Sequence, residues 1–256
     1  MDFQTITFDI ADDVATLTLA RPERRNALNS QMRAEISAAI RVAQEQARVL
    51  VLTGAGDSFC SGQDLGDGTG TMDIERVLRD EYTPMLRAIF DCPIPTIAAV
   101  NGAAAGAGAN LALAADVVIA ADRAVFLQAF TRIGLMPDAG GTFWLPRQVG
   151  FARAMGAALF AEPVTARQAE AWGMIWEAVE DDLFTGHVAR RALQLAQGPT
   201  LAYAAVKQAM RASAANDLDT QLALEAQLQG QCGRTRDFSE GVVAFLDKRA
   251  PVFEGR

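Results

Sequence analysis

The chain has 256 residues, half of them hydrophobic, and a formal charge of −8 from 31 acidic and 23 basic side chains. That length suits one large domain or one domain with an appendage, and the acidic balance argues against a nucleic-acid partner, which needs a basic face. Cys60, Cys92 and Cys232 are widely spaced and lack CxxC, so they read as reduced thiols of a cytoplasmic protein rather than as a disulfide framework or zinc site.

The opening residues, MDFQTITFDIADDVATLTLA, carry acids early and alternate in hydropathy. They predict a hairpin, residues 5–10 with 14–19, and not a signal peptide. Asn29 or Ser30 then caps a helix with Met32, Ile36, Ile40 and Ala43 on one face. Residues 49–52 read as a buried strand that runs into the loop GAGDSFCSGQDL, and the glycine-rich 65–72 are expected to be mobile. Residues 73–90 have helical spacing, with Pro84 placed to kink or break them. A strand at 96–100, the turn NGAAAGAG, a helix from about Gly108 and a strand at 116–121 follow. The rhythm is strand, strand, helix.

From about Phe151 the pattern is nearly all helical. A short helix is capped by Thr165 with Gln168 and closed by Gly173. Helices at 183–196, 200–215, 218–228 and about 239–248 complete the chain. The longest apolar runs, 94–100 and 111–121, are broken by Asn101 and Asp116, short of the roughly 18 residues of a membrane span. The expected division is a core of residues 1–195 and a C-terminal helical region of residues 196–256.

Three segments carry candidate chemistry. The loop after residue 52, with Gly54, Gly56 and Gly62, can expose an N–H near Gln63 to a substrate oxygen, or it is an ordinary glycine turn. Asp64 beside it is a possible acid or a loop residue bonded to its own backbone. Gly106-Ala107-Gly108 offers free N–H groups at a helix start, although close packing also explains such small residues. It is no nucleotide fingerprint, because position 111 is Leu, and no GK[ST] occurs. In IGLMPDAGGT, Asp138 is either a general base, desolvated by Phe130, Phe143 and Trp144, or the N-cap of the next helix. His187 is the sole histidine and sits among arginines on a predicted surface helix, which disfavours a triad or a multi-histidine metal site. The C-terminal FLDKRAPVFEGR is a solvated helix end or a phosphate contact through Lys248 and Phe253.

Taken in order, LARPERRNALN, VLTGAGDSFCSGQDL, IAAVNGAAAGAGANLALAADVVIAA, IGLMPDAGGTFWLPRQVG, AEAWGMIWEAV and EGVVAFLDKRAPVFEG resemble the crotonase (enoyl-CoA hydratase/isomerase) superfamily almost from end to end. The resemblance implies an α/β fold, a spiral of ββα turns with C-terminal helices that trimerise, singly or as a dimer of trimers. It implies an acyl-CoA thioester substrate, whose CoA makes a separate metal or redox cofactor unnecessary. The N–H groups of Gln63 and Ala107 would hold the thioester oxygen. The substrate and CoA contacts expected are Arg25, Ala27, Leu28, Ser61, Gly62, Asp64, Leu65, Gly108, Asn110, Phe130, Lys248 and Phe253, the last two often from a neighbouring subunit.

The sequence departs from the hydratase pattern where that pattern has two glutamates; Asn110 and Phe130 stand there. Asp138 remains as acid/base, similar to the ring-1,2-epoxyphenylacetyl-CoA isomerases of phenylacetate breakdown, some of which also shift the double bond of 3-enoyl-CoA. A dehalogenase branch also has an aspartate here, with a histidine and aromatic cradle that this sequence does not place. A broad or weak hydratase and a non-catalytic acyl-CoA-binding scaffold are the alternatives.

Overall fold

The computed structural model describes residues 2–66 and 73–255, so the expectation for residues 65–72 falls, from 67 on, outside the described residues. Alternating hydropathy makes β1 (Ile6–Ala11) and β2 (Val14–Leu19) an antiparallel hairpin. It turns at Asp12 and Asp13, both at positive φ, which aspartate tolerates better than most side chains. In α1 (Ser30–Gln46), Asn29 is the cap, its side-chain oxygen accepting the Met32 N–H at 2.9 Å. The helix buries the expected stripe of Met32, Ile36, Ile40 and Ala43, and with it Arg33.

Three turns of the spiral follow. β3 (Val49–Gly54) leads to β4 (Ser58–Cys60), then α2 (Ile74–Val77), a π-type turn (Leu78–Tyr82) and α3 (Thr83–Phe90). β5 (Thr96–Val100) leads to β6 (Ala103–Ala105) and α4 (Ala107–Leu113). β7 (Val117–Ala121) leads to β8 (Val125–Leu127), a 3-10 turn (Ala129–Ile133), α5 (Gly141–Val149) and α6 (Phe151–Phe160). Pro84 does not break its segment. It lacks an N–H, and just before it the register widens, so that Thr83 donates to Leu78 five residues back.

Two short strands interrupt the last third, which the sequence pattern presents as helical. They are β9 (Val164–Thr165), followed by α7 (Ala166–Trp172), and β10 (Glu177–Val179). α8 (Asp181–Ala196), α9 (Thr200–Ala212), α10 (Leu218–Cys232) and α11 (Arg236–Asp247) complete the chain. The first strand of each spiral turn enters a six-stranded sheet of order β1-β2-β3-β5-β7-β10, parallel except for the hairpin. The second enters a four-stranded sheet of order β4-β6-β8-β9. α4 is buried on every side, which its small and apolar residues permit. α9 is tied to this core by Asp116, which pairs with Lys207 and Arg211 at 2.6 Å each.

Candidate functional site

One wall of the site is made of backbone. Leu28 and Gln63 form an isolated parallel bridge, in which Leu28 N–H donates to Gly62 C=O at 2.8 Å and Asp64 N–H donates to Leu28 C=O at 3.0 Å. Successive residues of an extended segment direct their peptide groups to opposite sides, so the Gln63 N–H points away from Leu28. Gly62 has φ +95°, and a Cβ there would lie 2.8 Å from Ala105 O and 3.4 Å from Ala107 N. Only glycine lets this loop approach the start of α4, whose first N–H, that of Ala107, has no helical partner. Gln63 and Ala107 line one cavity of about 310 Å³, with Ser61, Gly62, Leu65, Phe130 and Asp138.

The Gln63 side chain is locked behind that wall. Its Oε1 accepts from Arg33 Nη1 at 2.9 Å and from the Tyr82 hydroxyl at 2.7 Å, and its Nε2 donates to Asp64 C=O at 3.0 Å. Arg33 is 2% exposed; it also donates to Leu28 C=O at 2.8 Å, pairs with Glu81 at 2.6 Å and stacks on the Tyr82 ring. Burial raises the Tyr82 hydroxyl well above the ordinary tyrosine range. Sequence reasoning missed Arg33, Tyr82 and Glu81. The available signal was an arginine beside the apolar stripe of α1, where a charged side chain must find partners.

The opposite wall carries Asp138, and here the structure bears on one of the two sequence readings, the helix cap. Asp138 is not a helix cap. Gly140 holds the N-cap position of α5, with no side-chain hydrogen bond. Asp138 Oδ1 is buried without a hydrogen-bond partner. Burial pushes its carboxyl up to about 6, its own backbone N–H opposing weakly. Of the three apolar neighbours expected, Phe130 lines the cavity with Asp138, and Phe143 and Trp144 do not. Phe143 and Trp144 pack on Phe90, with Trp144 ring centroids 4.7 Å from Phe143 and 5.3 Å from Phe90, and they line a different cavity. With Phe130, the residues Tyr82, Val77, Leu78, Ile74, Ile133 and Leu135 enclose the site.

The other expected site residues are placed variously about this cavity. Asn110 has no exposed surface and does not reach the cavity; it donates from Nδ2 to Asp138 C=O at 2.8 Å. Gly108 is a packing residue, since a Cβ there would meet Cys60 O at 2.3 Å. Asp64 is outside the cavity lining, paired with Arg21 at 2.9 Å. Burial would raise its carboxyl, but the Arg21 and Gly66 hydrogen bonds and nearby cations hold it below the usual range. Leu28 is fully buried and contributes only its backbone bridge, while Ala27 C=O accepts from Arg21 Nη1 at 2.7 Å. Arg25 and Ser61 are exposed next to one another, Ser61 N–H donating to Arg25 C=O at 3.0 Å, and Leu65 is an exposed rim residue.

Lys248 and Phe253 lie apart from this cavity. Lys248 is the exposed C-cap of α11, and Phe253 lines an apolar cavity of about 970 Å³ among α9, α10 and α11. His187 lies away from the site as well, between Glu177 at 2.7 Å and Arg190 at 2.6 Å. Among the described residues no group of three or more His, Cys, Asp or Glu side chains is placed to hold a metal ion. None of the described helices is long and apolar enough to cross a membrane.

Comparison with known proteins agrees with this architecture. The enoyl-CoA hydratase/isomerase family model matches residues 9–256. A "Probable enoyl-CoA hydratase" of Rhodobacter capsulatus is 62% identical over the whole of both chains. The 1,2-epoxyphenylacetyl-CoA isomerase of Escherichia coli K12 is 47% identical over 95% of each. The crystal structure of an enoyl-CoA hydratase from Bacillus anthracis superposes with a TM-score of 0.92 at 32% identity, covering 99% of this chain and all of that one. The spiral of ββα turns is thus the crotonase fold, and the chain belongs to the enoyl-CoA hydratase/isomerase family.

Proposed function

We propose that the protein is an acyl-CoA isomerase of the ring-1,2-epoxyphenylacetyl-CoA type, with a 3-enoyl- to 2-enoyl-CoA shift as the related activity. The observation that carries this reading is Asp138: one desolvated carboxyl, unpaired at Oδ1, on the cavity that Gln63 and Ala107 also line. Its carboxylate takes the proton from the α-carbon of the thioester. The electron pair moves onto the thioester oxygen, where the two N–H groups receive it, each such donor contributing about 2.7–4 kcal/mol in other enzymes. In a 3-enoyl ester Asp138 then returns the proton to the γ-carbon; in the ring epoxide the C–C bond shared by the epoxide and the six-membered ring opens to the seven-membered oxepin, which takes the proton back on a ring carbon, so that no atom is gained or lost. The CoA is part of the substrate. The likeness to the Escherichia coli isomerase supports the reading, and the apolar cavity suits a ring or a short chain.

Hydration is the second reading, favoured by the name of the Rhodobacter capsulatus relative. It requires a second group to activate water, and Asn110 and Phe130 supply none. Incubation with 3-enoyl-, 2-enoyl- and ring-epoxide thioesters, with products separated by chromatography, tests the two readings. Isomerised products with little or no hydration of crotonyl-CoA are expected, and Asn110→Glu alone leaves hydration absent. Crotonyl-CoA hydration at the rate of a dedicated hydratase would overturn the reading.

We further propose that residues 196–256 assemble the protein into a trimer or a dimer of trimers. Phe238, Val242, Phe245 and Leu246 of α11 and Met210 of α9 present exposed apolar surface that supports this. Light scattering at micromolar concentration tests it, and a stable monomer would refute it.

A further inference from the structure

We propose that Asn110 and Gln128 are positioning residues, which fix the acid Asp138 relative to the oxyanion donors by gripping its backbone. The inference rests on the reading of Asp138 as acid/base. It starts from an asymmetry: no group holds Asp138 Oδ1, so the direction of the side chain is set through its main chain. That main chain is held from α4. The helix presents the Ala107 N–H in its first turn and, three residues on, the buried Asn110 amide. Asn110 Nδ2 donates to Asp138 C=O at 2.8 Å, and its Oδ1 accepts from Gln128 Nε2 at 2.9 Å.

Gln128 follows β8 directly. The last residue of β8, Leu127, accepts the Gly106 N–H at 2.7 Å. The end of one strand therefore anchors both the turn before Ala107 and the amide that grips Asp138. The gripped loop needs an anchor. Ala139 has φ +47°, a left-handed conformation that a Cβ disfavours, and Gly140 follows at φ +82°. Gly141 lies so close that a Cβ there would meet Asn110 Nδ2 at 2.5 Å.

The amide chemistry is specific. One side chain must donate to a carbonyl and accept from an amide at once, which Asn does and a carboxylate or an aliphatic group cannot. At 110, a position that a hydratase fills with a carboxylate, this chain has a clamp behind the acid. Asn110 and Gln128 are both outside the cavity lining, so neither touches substrate. The other polar side chains on the cavity are Ser61, the Gln63 amide, Tyr82, which burial keeps neutral, and Arg132, whose Nη2 donates to Ala161 C=O.

The test follows deuterium wash-in from D₂O at the α-carbon of phenylacetyl-CoA. Asp138→Asn comes first: undiminished wash-in would overturn the acid reading and this inference with it. With that variant inactive, Asn110→Asp and Gln128→Met are expected to lower kcat by about 10²-fold, the scale of a 1 Å misplacement, with KM near the wild-type value. Asn110→Asp also adds a like charge, so its wash-in turns on at higher pH than wild type. Gln128→Met adds none, and its plateau falls with the pH limb in place. Unchanged kcat and pH profiles in both variants, with only a lowered melting temperature, would overturn the positioning role while the acid reading stands. A raised KM at unchanged kcat would overturn it too.

Discussion

The two walls of the cavity solve opposite problems. Around Gln63 the polar groups are paired: Arg33, Tyr82 and Glu81 form one buried network, and the groups left to act are main-chain N–H groups. Across the cavity a carboxylate oxygen is left alone. Donors that receive developing charge work best when already fixed, so saturation behind them is useful. A base has to exchange its proton near the working pH, so a strong partner would disable it. Asp64 makes the contrast sharp, because the same side chain, ion-paired to Arg21, is held down as a carboxylate while Asp138 is pushed up to about 6.

The largest effect is expected from removing the unpaired charge. Asp138→Asn should lower isomerisation by about 10²–10⁴-fold, the range for a positioned base, with acyl-CoA binding nearly unchanged. In the wild type, turnover should rise with pH through about 6, because the base must be ionised. Stability should run the other way. The folded carboxyl titrates higher than the unfolded one, so its contribution is full below the ordinary value of 3.8 and is lost as pH rises through about 6. Asp138→Asn should therefore melt higher than wild type at pH 8, the two converging near pH 4 in thermal scans. A variant that is equally active, or that melts lower at pH 8, would break the contrast between the walls.

Arg33→Met attacks the saturated wall. It takes the closest cation from Glu81, which keeps the Ser30 hydroxyl at 2.5 Å and Arg76 at 3.7 Å, and it takes one of two donors from Gln63 Oε1. Breaking a buried ion pair costs about 3–5 kcal/mol; Glu81 is one-fifth exposed and keeps Ser30 and Arg76, which places the expected loss below that range, at about 2 kcal/mol. Urea unfolding measures it, and a loss well under 1 kcal/mol would show that the network does not hold this wall.

The sequence announces these walls unequally. β3, β5 and β7 are legible as apolar runs, but β4, β6 and β8 have three residues each, too few to show a period, and β6 is entirely alanine. Asp138 is legible as a candidate, yet aspartate caps helices as readily as it takes protons, and only the structure shows that it does not cap α5. The resemblance sets Asn110 at a carboxylate position of hydratases and so against substrate; in the structure its amide holds the Asp138 main-chain carbonyl. Phe143 and Trp144 are near Asp138 in sequence, but α5 turns them onto Phe90. Partners distant along the chain, such as Arg33 for Gln63 or Gln128 for Asn110, leave no local pattern to read.

Tyr82→Phe is the finest probe, because it removes one hydroxyl from the saturated wall and keeps the ring. Tyr82 lies at the end of the π-type turn, lines the cavity and donates to Gln63 Oε1 at 2.7 Å. Arg33 still holds that oxygen, so the wall is loosened, not lost. One hydrogen bond contributes about 1 kcal/mol, which corresponds to roughly fivefold in kcat if it acts through placement of the Gln63 N–H. KM should stay near the wild-type value, because the apolar face of the ring is unchanged. Steady-state kinetics with one thioester separates the two roles of Tyr82. A lowered kcat ties the hydroxyl to the oxyanion donor, whereas a raised KM at constant kcat would make Tyr82 a shaping residue only and would leave Arg33 as the lock on that wall.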